Sequence, residues 1–195
     1  MRSRRLHTWD VTPEEAIRLQ RELAPRVVGR DAGLRPPRLI AGMDVSYDKG
    51  SPWVYAAVVV LRLPDLSEVE TVGVRTRAGF PYVPGLLSFR EAPAGLEAWA
   101  QLATRPDCLI CDGHGLAHPR RLGLASHVGL WINRPTIGCA KSVLVGEYRE
   151  PGRRRGSLSD LVHDGEVVGA AVRTREATPP VLVSVGHQIG LAAAV

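Results

Sequence analysis

Two aspartates lie inside apolar segments where a charged side chain is unexpected, and a glutamate follows a third apolar segment. Asp44 lies in "IAGMDVSY", Asp112 ends "LICD", and Glu91 comes directly after "PGLLSFR". A carboxylate in a buried sheet is costly unless it is paired, hydrogen-bonded or bound to a metal. If the two predicted strands are neighbours, Asp44 and Asp112 converge at one end of the sheet, with Glu91 reaching over from a helix. For either aspartate alone, a strand-end cap explains the position equally well.

Three clustered carboxylates would be hard oxygen ligands of the kind that Mg²⁺ or Mn²⁺ selects. A metal held there lowers the pKa of a water and stabilises charge on a phosphate and its leaving oxygen. The chemistry that this set favours is therefore phosphodiester hydrolysis. Acidic residues at strand ends are common, so the spacing alone is only moderately specific. A structural α/β module with acidic strand caps is the alternative.

Further polar residues accompany the carboxylates. His118 is predicted to lie near the metal's water or the scissile phosphate, although a histidine capping a turn fits the same position. Lys141, which ends "PTIGCAK", would place a positive charge on the phosphate or orient the water. Gly113 lets the backbone approach a ligand closely. His187 ends another predicted strand, and a core or capping role is at least as good an interpretation there.

The elements that must position these residues begin with a helix over 12–24. Thr12 is its predicted N-cap, Pro13 takes the first helical position, and Glu15 completes a capping box. Further elements are predicted in chain order, as strands 39–48, 53–64 and 67–77, a helix at 95–104, a strand at 108–113, a helix at 123–132, and strands at 135–141, 167–175 and 181–187. The almost continuous apolar run of the second strand predicts burial on both faces, and 148–157 is predicted to be a loop. A strand hairpin followed by alternating strands and helices predicts one α/β domain over 1–195, built around a mixed sheet.

Composition narrows the class of protein. The 195 residues suffice for one domain with a sizeable core, and 45% of them are hydrophobic. No run approaches the roughly 18 apolar residues that span a bilayer, and the start of the chain lacks the apolar stretch of a secretory signal. Three cysteines are an odd and sparse set that fits a reducing compartment. We therefore expect a cytoplasmic protein without a membrane partner.

Charge and cysteine spacing are less specific. The net charge of +5 suits an anionic partner. Only Lys49 and Lys141 among the 25 basic residues are lysines, so a compact ammonium at Lys141 stands out from the arginines. Cys108 and Cys111 have CxxC spacing, but they lie in a predicted buried strand and no second pair completes a zinc site. Core packing is the better interpretation of this pair.

Four segments taken in order resemble the successive motifs of the endonuclease V family, which repairs nucleic acid containing deaminated purine, chiefly deoxyinosine. They are "AGMDVSYD", "PYVPGLLSFRE", "DGHGLAHPRRLGLASHVG" and "PTIGCAKS", and the similarity extends from about residue 12 to residue 190. The resemblance implies a ribonuclease H-like fold, with a mixed β-sheet flanked by helices in a single domain. It also implies Mg²⁺-dependent hydrolysis, with Mn²⁺ as a substitute. The cut would fall at the second phosphodiester bond 3′ to the lesion and leave 3′-hydroxyl and 5′-phosphate ends.

By the same resemblance, the metal-site carboxylates are Asp44, Glu91 and Asp112, and His118 and Lys141 assist catalysis. The family's wedge, which enters the base stack, falls on Pro81, Tyr82, Val83 and Pro84. The pocket for the displaced base would be lined by Gly85, Leu87 and Gly113. Arg90 would reach the backbone phosphate.

The expected partner is DNA containing deoxyinosine, and a monomer is expected. An inosine-specific endoribonuclease, or activity on a single strand, is an alternative within the same class. The family continues past "GH" into a C-terminal helix that can contribute to the metal site, whereas "GHQIGLAAAV" leaves few residues for that helix, which we expect to be short or absent. A protein that binds inosine lesions with weak or no cleavage is therefore the alternative from another class.

Overall fold

The computed structural model describes residues 5–31, 36–48 and 50–195. Lys49 and residues 32–35, which include the first three residues of the predicted linker "GLRPPRL" (33–39), lie outside those ranges. The described strands form one sheet in the order β3-β2-β1-β4-β5-β9-β8-β7-β6. They are β1 Leu39–Ser46, β2 Trp53–Arg62, β3 Glu68–Arg77, β4 Cys108–Asp112, β5 Thr136–Ala140, β6 Glu147–Tyr148, β7 Leu158–His163, β8 Glu166–Val172 and β9 Val181–His187.

Helices flank this sheet, and the mixed α/β architecture expected from the sequence is confirmed. They are α1 Pro13–Leu23, α2 Leu87–Gln101, α3 Leu124–Ile132 and a four-residue α4, Leu191–Ala194, with a 3₁₀ turn at Ala24–Arg26. None of the described helices is long and apolar enough to cross a membrane.

The N-terminal helix begins as its sequence predicts. The amide of Glu15 donates to the Thr12 hydroxyl at 3.3 Å, and the Glu15 carboxylate accepts from the Thr12 amide at 2.8 Å. Both halves of the capping box are therefore present, and Pro13 is the first helical residue. Because these bonds satisfy amides that the helix itself leaves open, the sequence locates this helix start accurately.

The first three strands form an antiparallel meander that is covered on one face only. In β2, Val54, Ala56, Val58 and Val60 are buried against α2 and α3, whereas Tyr55 on the opposite face is exposed. The prediction that this strand is buried on both faces was wrong. Its alternation is real, but apolar residue types occupy the open face as well as the covered one.

The centre of the sheet is parallel. β1 pairs with β4 from Ile40–Cys108 to Met43–Cys111, and β4 pairs with β5 as far as Asp112–Cys139. The carboxyl ends of these three strands consequently meet at one edge of the sheet. Cys108 and Cys111 are unpaired, buried thiols in two different core clusters, in agreement with a packing role.

Two features of the chain differ from the expectation. α2 begins at Leu87 rather than at residue 95, so Glu91 and Pro93 lie inside the helix. An internal proline removes a helical hydrogen bond and normally predicts a break, but here the helix is held by burial of Phe89, Ala92, Ala94 and Trp99. The loop predicted at 148–157 overlaps the short β6 at Tyr148 and is followed by β7, which was not predicted because polar residues make up half of its segment "LSDLVH".

Candidate active site

Asp44 and Asp112 occupy the same level of two neighbouring parallel strands. The described register ends at Met43 and Cys111, and the two aspartates are the next residue of each strand. Adjacent strands lie about 4.8 Å apart. The two carboxylates therefore share one edge of the sheet because two distant segments of the chain enter it in parallel.

The three carboxylates differ in burial. Asp44 is exposed, which corrects the premise that it lies in a buried environment. The Asp112 side chain is 33% exposed. Glu91, in contrast, is only 6% exposed. The aspartates face solvent, as a substrate contact requires, and Glu91 is the buried carboxyl group of the three.

The pKa of the Glu91 carboxyl group reflects both its burial and its proximity to the two aspartates. Its pKa is raised to about 8, chiefly by desolvation and next by the negative charge of Asp44, with a smaller contribution from that of Asp112. A hydrogen bond from Tyr47 and the charge of Arg90 act in the opposite direction without cancelling the rise. A cation among these carboxylates would relieve the repulsion, and oxygen donors of this type fit Mg²⁺ or Mn²⁺.

The carboxylates are neighbours rather than a finished set of ligands. Within the described ranges, no three His, Cys, Asp or Glu side chains stand as a metal-binding cluster. One carboxylate already has a partner, because the Lys141 ammonium lies 2.6 Å from Oδ2 of Asp112. This contact, with a largely exposed lysine, raises the lysine's pKa. Lys141 lies beside the carboxylates, where its sequence position at the end of β5 predicts it.

His118 contacts the wedge segment. Its Nδ1 accepts from the amide of Arg120 at 3.1 Å, so its protonated Nε2 donates to the carbonyl oxygen of Gly85 at 2.9 Å. Burial lowers the pKa of His118 to about 4. The imidazole is therefore neutral, with a fixed tautomer and both ring nitrogens bonded.

The Gly85 carbonyl is the meeting point of three side chains. Besides His118, it accepts from Nη2 of Arg120 at 2.8 Å and from Nε2 of Gln20 at 3.0 Å. Arg120 also donates to the amide oxygen of Gln20. From the sequence alone, Arg120 fits a residue that faces a nucleic-acid backbone or a solvated surface arginine, and nothing singles out Gln20. A fully buried glutamine on α1 is the signal that could have identified this network.

The predicted wedge projects from a buried base. Tyr82 is 64% exposed, and Pro81 and Pro84 are also exposed, whereas Val83 is half-buried. Phe80, Leu86 and Phe89 pack together beneath the tip. Two prolines with fixed φ angles hold the aromatic ring outward over this apolar base.

Gly85, directly after the wedge, has a backbone conformation that favours glycine, with φ of +76°. The predicted pocket residues Gly85, Leu87 and Gly113 all line one cavity of about 220 Å³. Ser88, Leu124 and Val143 also contribute to its wall. The structure thus brings the wedge and the predicted pocket residues together on one side of the carboxylates.

Arg90 lies between the wedge and the carboxylates. Its Nη1 donates to the carbonyl of Phe80 at 2.8 Å, and its guanidinium lies 4.5 Å from the centre of the Tyr47 ring. Tyr47, Tyr82 and Arg90 line a second, more open cavity of about 570 Å³. The observed bond fixes the start of the wedge, and the contact of Arg90 with a phosphate stays a prediction.

His187 lies at the other end of the sheet. It pairs with Thr136 at the start of β5, whereas Asp112 pairs with Cys139 near the end of that strand. Its buried Nδ1 accepts from the amide of Val28 at 3.2 Å. Because β9 runs antiparallel to β5, its last residue is carried away from the carboxylates, and His187 does not join them.

A chain of hydrogen bonds behind the pocket, buried at one end only, could not be predicted from the sequence. His7 donates from Nδ1 to the Thr8 carbonyl at 2.6 Å, so His127 donates to His7 Nε2 at 2.8 Å and accepts from the Ser88 hydroxyl at 3.0 Å. Ser88 also lines the 220 Å³ cavity. A lone histidine in the otherwise apolar segment "LASHVGLWI" was the available signal.

Comparison with known proteins agrees with this arrangement. The family model described as Endonuclease V matches residues 21–195. Endonuclease V of Gloeobacter violaceus is 51% identical over 193 residues, which cover 97% of this chain and 78% of that protein. The crystal structure of Endonuclease V from Streptomyces avermitilis has 45% identity and a TM-score of 0.89, covering 95% of this chain and 82% of that one.

A more distant relative was solved with nucleic acid. Endonuclease V from Ciona intestinalis, in complex with a 24mer DNA containing an inosine followed by a ribo-adenosine, has 26% identity and a TM-score of 0.80. The match covers 93% of this chain and 85% of that one. Because the family model matches residues 21–195 of this chain and relatives are near 50% identical to it, the chain belongs to the endonuclease V family of metal-dependent nucleases.

Proposed function

We propose that this protein is a DNA repair endonuclease that recognises deoxyinosine and hydrolyses the second phosphodiester bond 3′ to it with Mg²⁺. The products would carry 3′-hydroxyl and 5′-phosphate ends, and Mn²⁺ would substitute for Mg²⁺. The observation that carries the proposal is the placement of Asp44 and Asp112 at one level of adjacent strands, with Glu91 in electrostatic range of both. Membership of the endonuclease V family gives the reaction class.

Recognition would begin at the exposed wedge. Tyr82 enters the base stack while the prolines and the packed base beneath them keep the tip from folding back. Taking a base out of a duplex costs a few kcal/mol, and a mispaired base costs least. The displaced hypoxanthine would enter the cavity lined by Leu87 and Gly113, where backbone groups can bond its polar edge.

Hydrolysis would take place at the edge of the sheet. Asp44, Glu91 and Asp112 would hold the divalent cation. When bound, such a cation offsets charge on the phosphate and lowers the pKa of an attacking water. Lys141 supplies a positive charge beside Asp112 for the scissile phosphate. His118 stays neutral and holds the Gly85 carbonyl, so it assists by fixing the wedge relative to the carboxylates.

A direct test compares strands that differ in one base. Duplexes with a single deoxyinosine or with deoxyadenosine at the same site would be incubated with the protein and Mg²⁺ or Mn²⁺. Nicking only of the inosine strand supports the proposal. Tight inosine-selective binding without turnover in either metal would show a lesion-binding protein instead.

The second candidate is an inosine-specific endoribonuclease. It is favoured by the Ciona intestinalis complex, in which a ribo-adenosine follows the inosine. Matched single strands with deoxyribose or ribose after the inosine separate the two functions. Faster cleavage of the ribose-containing strand at equal enzyme concentration would favour the second candidate.

We also propose that residues 1–195 act as one catalytic domain, as a cytoplasmic monomer. The single sheet, against which α2, α3 and α4 pack, supports one domain. Light scattering after size-exclusion chromatography would test this, since a monomer has a mass of 21.1 kDa.

A further inference from the structure

The uncovered face of β1, β2 and β3 carries two aromatic rings and two arginines. In the register of β2 and β3, Trp53 lies opposite Arg77 and Tyr55 lies opposite Arg75. Residues directly opposite each other in an antiparallel pair point to the same face. The intervening Val54 is buried on the helix side, so these four side chains lie on the open side. We call Trp53, Tyr55, Arg75 and Arg77 the aromatic–arginine strip.

The strip is continuous with the carboxylate site. Asp44 lies opposite Ala57, and Ser46 lies opposite Tyr55. Asp44 is therefore on the same open face, one pair of residues along from the strip. With strands spaced about 4.8 Å apart, Arg75 lies two strands, or roughly 10 Å, from Ser46. A polymer that passes Asp44 can therefore continue over the strip along the same face of the sheet.

The arginines stack on the rings instead of pairing with acids. The guanidinium carbon of Arg75 lies 3.9 Å from the centre of the Trp53 ring and 5.9 Å from that of Tyr55, and that of Arg77 lies 5.2 Å from Trp53. Neither arginine forms an ion pair within the part of the chain that the structure describes. Their charge is therefore available to an outside partner.

Charge is also divided along β3. The acidic residues Glu68 and Glu70 lie at its start, where Glu70 accepts from the amides of Ala103 and Thr104 and Glu68 accepts from Thr71. Asp44 lies level with Gly73 in the middle of β3, and Arg75 and Arg77 extend from that level towards the end of the strand opposite the acidic residues. An anionic partner that passes Asp44 would be attracted towards that end.

We propose that the aromatic–arginine strip binds the single-stranded part of the substrate that flanks the cleavage site. A stacked guanidinium keeps its N–H edge free for phosphate oxygens. Exposed aromatic rings with adjacent positive charge are the combination by which proteins hold single strands without reading sequence. The inference rests on the proposed nuclease function and adds a second contact outside the wedge, the pocket and the metal site.

A structural role for the same arginines predicts something different. β3 ends the described sheet order, and charged side chains on an edge strand hinder pairing with another molecule. Loss of the arginines would then cause aggregation and leave nucleic-acid affinity unchanged. Binding therefore separates the two roles.

The test uses the variant Arg75→Gln/Arg77→Gln and, as a control of equal charge change, Arg153→Gln/Arg155→Gln. Arg153 and Arg155 are exposed in the loop before β7, near the opposite edge of the sheet. Binding of inosine-free single-stranded DNA is measured by fluorescence anisotropy without metal over a range of salt concentrations. Two lost phosphate contacts should reduce the slope of log K against log salt by about 1.4. The control should keep the wild-type slope.

A second arm tests stacking and substrate length. Inosine strands with minimal flanks, and strands extended on the 5′ or the 3′ side, are compared with wild type and Tyr55→Ala. We expect one extension to tighten wild-type binding, and Tyr55→Ala to lose at least about 5-fold in affinity for that strand alone. Circular dichroism and light scattering confirm that each variant is folded and monodisperse.

The outcomes distinguish this inference from the proposed function. Equal salt slopes for wild type and Arg75→Gln/Arg77→Gln, or an equal loss in the control, would overturn the inference. Aggregation with unchanged affinity would also overturn it, in favour of edge protection. If wild type does not nick inosine substrates, the proposed function fails, while the inosine-free binding arm still decides whether the strip holds a single strand.

Discussion

The imidazole of His118 donates from Nε2 to the carbonyl oxygen of Gly85 at 2.9 Å. This bond joins the loop that follows β4, the strand that ends in Asp112, to the residue directly after the wedge. Arg120 and Gln20 donate to the same carbonyl. The element that would enter the DNA and the element that would hold the metal are therefore coupled through one backbone oxygen.

His118→Ala should impair binding more than the chemical step. The Gly85 carbonyl keeps two other donors, so the loss is that of one hydrogen bond, about 1 kcal/mol. We expect a KM for inosine DNA about 5-fold higher with a small change in kcat. Steady-state kinetics would measure both. A fall in kcat by a factor of about 10² or more with KM unchanged would show that His118 acts in acid–base chemistry instead.

The pH dependence of stability should report the burial of His118. Its pKa falls from 6.5 to about 4 on folding, so between these values the unfolded chain binds more protons. Its contribution to the free energy of unfolding is fully present above pH 6.5 and is lost as pH falls towards 4, by up to about 3 kcal/mol. Urea titrations of wild type and His118→Gln should converge on acidification. A difference that stays constant would contradict the neutral, buried state.

Gly85→Ala should destabilise the wedge, for reasons of backbone and space. An alanine there would adopt a φ of +76°, and its Cβ would lie 3.0 Å from Nη2 of Arg120. The left-handed conformation costs roughly 1–2 kcal/mol. Gly79→Ala is the matched control, because nothing lies within 4 Å of its Cβ position. The free energy of unfolding, measured with urea, and the affinity for inosine DNA should both fall for Gly85→Ala only. Equal losses in both variants would contradict the special requirement for glycine at position 85.

Tyr82→Ala should weaken lesion binding while leaving the fold intact. The ring is 64% exposed, so its removal should change the free energy of unfolding by less than about 0.5 kcal/mol. Loss of one base-stacking contact corresponds to about 5-fold or more in affinity. Anisotropy with inosine duplex and urea unfolding provide the two values. Undiminished affinity would show that Tyr82 does not stack on the bases of the lesion site.

Divalent metal should stabilise the folded protein through the carboxylates. Mg²⁺ at about 100 times its Kd would add about 2.7 kcal/mol, visible as a rise in Tm. Asp112→Ala should abolish the rise, because it removes an oxygen donor and the partner of Lys141. Asp160→Ala, at an exposed position on β7, is the control. A rise in Tm that survives Asp112→Ala would place the metal elsewhere.

The carboxylate set could be predicted because charged residues stand out in apolar segments, and the wedge because two prolines bracket an aromatic residue. The premise about Asp44 was nevertheless wrong, since the open face of the meander carries apolar residue types such as Ala57 and Tyr55. Because apolar residues occur on both faces of β2, the sequence does not show which face the helices cover. The helix containing Glu91 began earlier than predicted because burial outweighs the local effect of Pro93.

Contacts between distant segments could not be predicted. Gln20 and Arg120 are 100 residues apart and meet at Gly85, which neither segment indicates by itself. His187 was grouped with the site only by its strand-end position, and the antiparallel direction of β9 places it at the other end of β5. Such relationships depend on strand order and direction, which residue types do not encode locally.

The most direct test of the account is the position of the cut and its dependence on Asp44. A duplex labelled at the 5′ end of its single-inosine strand would be incubated with Mg²⁺ and either wild type or Asp44→Ala, and the products would be sized at single-nucleotide resolution. The account predicts one product from wild type, ending in a 3′-hydroxyl at the second phosphodiester bond 3′ to inosine, and none from Asp44→Ala. An absent nick, a nick elsewhere, or an undiminished nick with Asp44→Ala would contradict it.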